Sequence, residues 1–191
     1  MKKLTALLIA MTLVLSMTAC GGNGNGGSKE DETAGKTAVD ILKDVLATYE
    51  EDEKFPVSGG DYENLVQDAP GTVGISNGEA LDALLGFPAD KTDLIDDAAS
   101  MMHMMNQNTF TAGMYHVTDA KDVQDTADAL KENIMNRQWM CGFPDELVIY
   151  SVGEHFVTAA FGVEEMIDAF EDNLTENYPG ATLLYEEDLT F

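Results

Sequence analysis

Residues 119–139, DAKDVQDTADALKENIMNRQW, place Val123, Ala127, Leu130 and Ile134 at i, i+4, i+7 and i+11. That spacing draws one apolar stripe along an α-helix and suits no strand. Asp119 and Asp122 at its start and Arg137 at its end agree with the helix dipole, and Gly142 and Pro144 stop it. The flanks read differently. TFTAGMYHV (109–117) is rich in β-formers. ELVIYSV (146–152), Gly153-Glu154 and HFVTAAFG (155–162) read as a hairpin with a two-residue turn. VEEMIDAFEDNLTENYP (163–179) is a second acidic amphipathic helix, with Met166 or Ile167, Phe170 and Leu174 inward, and ATLLYEEDL (181–189) closes as a strand. With MMHMM (101–105) extended ahead of the NQNT turn, a hairpin twice feeds a helix. The expectation is an α+β fold: an antiparallel sheet with amphipathic helices on one face, built from two ββα units plus a C-terminal strand. FTAGMYHVTDAKDVQDTADALKENI and FVTAAFGVEEMIDAFEDNLTENY read as a diverged repeat.

Upstream, TAVDILKDVLATYEE (37–51) sets Val39, Leu42, Leu46 and Tyr49 on one face, which predicts an N-terminal helix. EDEKFPVSGG then breaks the pattern with Pro56, Gly59 and Gly60. SNGE (76–79) reads as a capping box for a short helix, EALDALL, ended by Gly86.

The first twenty residues address location. Lys2 and Lys3 precede the apolar stretch LTALLIAMTLVLSM (4–17), and TAC (18–20) ends it with small residues before a cysteine. The stretch is short for a spanning helix, which needs roughly 20 apolar residues, and reads as a signal peptide over 1–19. Cys20, with Ala19 and Thr18 before it, resembles the bacterial lipobox, although Met17 stands where Leu is usual. The resemblance implies a diacylglyceryl thioether on Cys20, and two acyl chains suffice for stable anchoring. GGNGNGGS (21–28) and the polar residues to Lys36 form a flexible tether with a reach of about 20–25 Å. Residues 37–191 are then one α+β domain, held to the outer face of the cytoplasmic membrane through Cys20.

Composition narrows the partners. The formal net charge is −25, which excludes nucleic acid as a ligand, because phosphate must be neutralised by cations. With Cys20 acylated, Cys141 is the sole remaining thiol and no intramolecular disulfide forms.

The lipobox, the Gly-rich tether, an MMN-x₂-TF turn into a strand, and the acidic helix and hairpin beyond it together resemble surface lipoproteins of Gram-positive bacteria carrying domain of unknown function 4358. The resemblance covers roughly residues 85–186. QWMCGFPDELVI (138–149) departs from the pattern expected there. What the resemblance implies is an α+β lipoprotein domain, with no activity attached.

Candidate chemistry is sparse. WMCGFPDE (139–146) lacks the second cysteine that a dithiol mechanism needs, since Phe143 stands two residues beyond Cys141. A Cys141-dependent enzyme using His103, His116 or His155 as base is conceivable, but no spacing selects a partner. The acidic runs EEDE (50–53), DD (96–97) and EED (186–188) lack a calcium-loop pattern. No G-x-S-x-G, H-E-x-x-H, Walker-type loop or post-strand G-x-G-x-x-G is present. Met101, His103 and Met105 share one face of an extended segment and form a candidate soft-metal (copper) site, with Met114 or His116 on the next strand as helpers. Against it stand core packing by flexible methionines and an exposed Met-rich partner surface. The reading that gathers most of these features is a non-enzymatic, membrane-anchored module, without a cofactor, that binds a protein or small ligand outside the cell.

Overall fold

The structure, a computed structural model, describes residues 32–140 and 142–189. Among these lie four α-helices: α1 (Ala38–Thr48), α2 (Gly78–Leu85), α3 (Val123–Met135) and α4 (Glu164–Asn177). The strands are β1 (Val57–Gly59), β2 (Val66–Gln67), β3 (Gly71–Thr72), β4 (Ile95–His103), β5 (Phe110–Val117), β6 (Glu146–Val152), β7 (Phe156–Gly162) and β8 (Thr182–Asp188). They form one eight-stranded sheet in the order β2-β1-β4-β5-β7-β6-β8, with β3 paired to β4 beside β1. Every pairing is antiparallel. The molecule is α+β, and beyond residue 95 its element order is the one read from the sequence.

The helices do not lie on one face. Side chains of the central strands alternate between two cores. Phe110, Ala112 and Met114 of β5 and Val148 and Tyr150 of β6 pack with α1 and α4. Tyr115 and Val117 of β5 and Leu147 and Ile149 of β6 pack with α2 and α3. Covering on both sides explains why β7 is buried at every position, where a half-solvated strand would alternate apolar with polar residues. The two proposed units therefore diverge. Phe110 and Phe156, which the repeat would superpose, share one face of the sheet, yet α3 and α4 leave to opposite faces. Antiparallel neighbours such as β5 and β7 exchange only about an axis normal to the sheet, which would keep both helices on one side. A five-residue connection (118–122), partly 3₁₀, leads into α3, whereas Val163 alone joins β7 to α4.

Local chemistry sets the helix ends. Thr37 caps α1: its side chain accepts from Asp40 N, and the Asp40 carboxylate accepts from Thr37 N at 3.1 Å, a reciprocal capping box. Asn77, rather than Ser76 of the expected box, caps α2 by accepting from Ala80 N at 3.1 Å. Gly86 ends α2 with φ 71°, a left-handed conformation that favours glycine. The buried stripe of α1 is Ala38, Ile41, Leu42 and Val45, with Tyr49 beyond the helix end, while Val39 and Leu46 are only partly buried. It is turned from the predicted stripe because α1 packs against α4 as well as the sheet. The β6–β7 hairpin has a three-residue loop, 153–155, instead of two, since Val152 pairs with Phe156. The breaker run hides β1, which, like β3, forms on the flank of β4; Gly59 and Gly71 meet there so closely that a Cβ on Gly59 would lie 2.2 Å from Gly71 N.

Candidate functional site

The described chain enters at one pole of the sheet. Glu32 accepts from Gly180 N at 3.3 Å, between α4 and β8, and the Ala38 N–H at the start of α1 donates to Asp97 Oδ2 at 2.7 Å. The β6–β7 turn, the start of β4 and the end of β5 share this pole. At the opposite pole lie the β4–β5 turn (104–109), the connection after α3, the start of β6 and the end of β7.

That opposite pole carries a cluster of exposed apolar side chains beside its carboxylates. Met105 and Met140 are each 79% exposed, with Met104 and Phe143 exposed as well, and Tyr62 and Leu65 of the β1–β2 connection are exposed around a cavity that Met104 also lines. Scattered apolar residues are ordinary on a surface, but a concentration on neighbouring loops marks an interaction site. The loops are fixed. Asn106 Oδ1 accepts from Asn108 N at 3.0 Å, making an Asx turn. The Asn108 amide then donates to the carbonyls of Met140 at 2.8 Å and Gly142 at 3.0 Å, holding the post-α3 loop against the hairpin. On the α2 side, Tyr62, Leu65, Leu84, Met102, Met104 and Gln107 line a cavity of about 230 Å³. Asp61 braces its rim by accepting from the backbone N–H of Glu63, Asn64 and Gly74, and these bonds hold its carboxyl below the usual range against partial desolvation.

The sequence-derived metal candidates are spread across this region. Met101 is fully buried among α1, α4 and the sheet. His103, the last residue of β4, stacks on Phe55 with centroids 5.8 Å apart, and its Nδ1 accepts from Met105 N at 3.2 Å. Met105 points into solvent from the turn. The structure thus joins His103 to the backbone of Met105 and gives Met101 to the core. Met114 is also core. His116 lies four positions along β5 from Ala112, the partner of Met101, roughly 14 Å at the strand rise, where it pairs with Asp96 at 2.5 Å and stacks on His155. Among the described residues no three His, Cys, Asp or Glu side chains are grouped to hold a metal ion. Cys20 and Cys141 lie outside the described residues.

The acidic runs separate too. Asp52 and Glu53 face Glu164, Asp168 and Asp172 of α4 across an open groove of about 560 Å³. Beside it, at the start of β6, burial and the like charges of Glu171, Glu186, Asp168 and Glu164 push the Glu146 carboxyl up to about 7. Burial also raises Glu171, whose carboxylate accepts from the Tyr150 hydroxyl.

Sequence reasoning passed over Tyr62, Leu65, Met140 and Phe143, because each sits in a stretch rich in Gly, Asp, Asn or Pro and belongs to no periodic pattern. The available signal was the converse one, large apolar side chains inside turn-forming sequence. Among the described residues no helix is long and apolar enough to cross a membrane. Set against family models, curated proteins and solved structures, the chain matches none.

Proposed function

We propose that this chain is a membrane-anchored lipoprotein whose α+β domain is a non-enzymatic binding module, presenting its apolar pole to a partner protein outside the cell. The observation that carries the reading is polar asymmetry. The described chain enters beside Gly180, so a lipid at Cys20 and the Gly-rich tether would connect at that pole, leaving Met104, Met105, Met140 and Phe143 facing outward. Tyr, Phe and Met are residues enriched at protein interfaces, and methionine adapts its shape to irregular partners. The surrounding negative surface keeps copies of the chain apart while the apolar loops remain available. The resemblance to the domain 4358 lipoproteins belongs to the same proposal and adds the expectation of a cell-surface setting.

The test compares two tagged forms purified from membranes under mild detergent: the natural chain and a Met105→Gln/Met140→Gln/Phe143→Gln variant. A partner recovered with the natural chain and lost with the variant, at unchanged melting temperature, supports the reading. Identical recoveries, or none, count against it.

A further inference from the structure

Two of the chain's three histidines meet at the pole where the described chain enters. His116 comes from the end of β5 and His155 from the β6–β7 loop, and their rings stack with centroids 5.4 Å apart and planes 19° apart. Phe156 meets His116 edge-on at 4.8 Å. Both histidines are partly exposed.

Each imidazole is held by the same nitrogen. Asp96 is the extra residue of a bulge in β4, between the Ile95–Val117 and Asp97–His116 pairs, and bulges re-aim side chains. Its Oδ1 lies 2.5 Å from His116 Nδ1. His155 Nδ1 lies 2.9 Å from the Val117 carbonyl, while Val117 N donates to the His155 carbonyl at 2.7 Å. A carboxylate and a carbonyl can only accept, so Nδ1 carries the hydrogen in both rings. The lone pair of each neutral imidazole is then on Nε2, and neither Nε2 has a hydrogen-bond partner among the described residues.

Metal-ligating histidines have this form. The bond from Nδ1–H to a carboxylate or backbone carbonyl fixes the tautomer and makes the other nitrogen more basic. One such ring is common on a surface, but two in contact, delivered by separate elements, offer a chelate. The surroundings favour a cation too, since Asp119 interacts electrostatically with His155 and Glu154 is exposed beside it. Imidazole suits Cu²⁺, Ni²⁺ and Zn²⁺ rather than Ca²⁺ or Mg²⁺, and Cu²⁺ binds most tightly of the divalent series. Among the described residues no third His, Cys, Asp or Glu completes a cage. Asp96 is committed to His116 and Asp119 to Lys121, so the other coordination positions fall to water.

We infer that Nε2 of His116 and Nε2 of His155 together chelate a divalent late-transition-metal ion, Cu²⁺ most tightly, at the pole opposite the exposed methionines. Zinc–imidazole bonds are about 2.0 Å long, and rotation of the two partly exposed side chains brings both nitrogens onto one ion. The site is independent of the partner-binding reading, and either can fail alone.

The test uses the full chain in mild detergent, free of any histidine tag, titrated calorimetrically with Cu²⁺, Zn²⁺ and Ca²⁺. The expected result is saturable binding of one Cu²⁺ per chain, weaker binding of Zn²⁺ and none of Ca²⁺. Electron paramagnetic resonance of the Cu²⁺ form should show coupling to two imidazole nitrogens. His155→Ala, in an exposed loop, should remove one of these couplings and weaken Cu²⁺ binding at least about tenfold, as should His116→Ala. Asp96→Asn should weaken it by about 10–100-fold although Asp96 does not touch the ion, the range for a residue that orients a ligand. His103→Ala should leave it unchanged. If His116→Ala fails to fold, His155→Ala decides. Failure to bind Cu²⁺, unchanged affinity in His155→Ala, or equal competition by Ca²⁺, which would put the ions on the acidic surface, overturns the site and leaves the binding module to its own test.

Discussion

At the residue scale, the run of methionines divides into packing and display within five positions. Met101 and Met102 point to opposite cores, Met101 toward α1 and α4 and Met102 toward α2 and α3, while Met104 and Met105 are exposed. The strand period of two accounts for the first pair, and the end of β4 at His103 accounts for the second. Met101→Ala should cost about 2–5 kcal/mol, as for other buried large-to-small changes, and Met105→Ala less than about 0.5 kcal/mol, as at exposed sites. Urea unfolding of both variants checks the pair. The same contrast shows what was legible. An extended MMHMM ahead of the NQNT turn was readable from alternation and turn residues, but the position at which the strand stops was not. It depends on β1, since Val57 pairs with His103 and Met104 N donates to Pro56 O at 2.8 Å.

At the element scale, the helices were readable because each carries its own period and the long strands because each is a run of β-formers bounded by turn residues, and the three short strands were not because nothing local makes them. β1 and β3 exist as partners of β4, and β2 pairs only with β1. The helix-on-both-faces arrangement was also present in the chain: HFVTAAFG and ELVIYSV offer almost no polar alternate positions, and a strand so composed must be covered twice. The N-terminus of α1 rests on a capping box, so Thr37→Ala should lower stability by about 1 kcal/mol, measurable by denaturant unfolding. The α4–β6–β8 face carries a pH signature. Glu146 is raised from 4.5 to about 7 by burial and by Glu171, Glu186, Asp168 and Glu164. Asp188 stands opposite it in the β6–β8 register and is one more like charge. A carboxyl with a raised folded-state pKa binds its proton more tightly when folded, so its contribution to stability is complete below about 4.5 and is lost as pH rises through about 7. The melting temperature should therefore rise on acidification across that window, and Glu146→Gln should flatten the rise. Further acidification reverses the trend, because Asp44, Asp61 and Asp128 are held below the usual carboxylate value of 3.8. Their stabilisation is present above that value and disappears as pH falls through their lowered pKa values.

At the scale of the whole molecule, a strongly acidic body carries its exposed apolar loops at the pole opposite the one where the described chain enters. The anchoring half of the proposal rests on the sequence alone, where a charged start, an apolar stretch and small residues before Cys20 are contiguous, and it lies outside the described residues. The binding half was not legible there, since Met104, Met140 and Phe143 come from two separate connections that only the folded sheet brings to one end, and Tyr62 comes from a third that shares a cavity with Met104. Cys20→Ala should shift the protein from the membrane fraction to the soluble extracellular fraction on cell fractionation, with no change in the melting temperature of the purified domain. The most direct measurement of the central claim is site-specific photocrosslinking on intact cells, with a photoactivatable side chain at position 105 on the apolar pole or at 154 on the opposite pole. A discrete protein adduct from 105 that is absent from 154 is the predicted result. Adducts of equal yield from both positions, or none from 105, would contradict it.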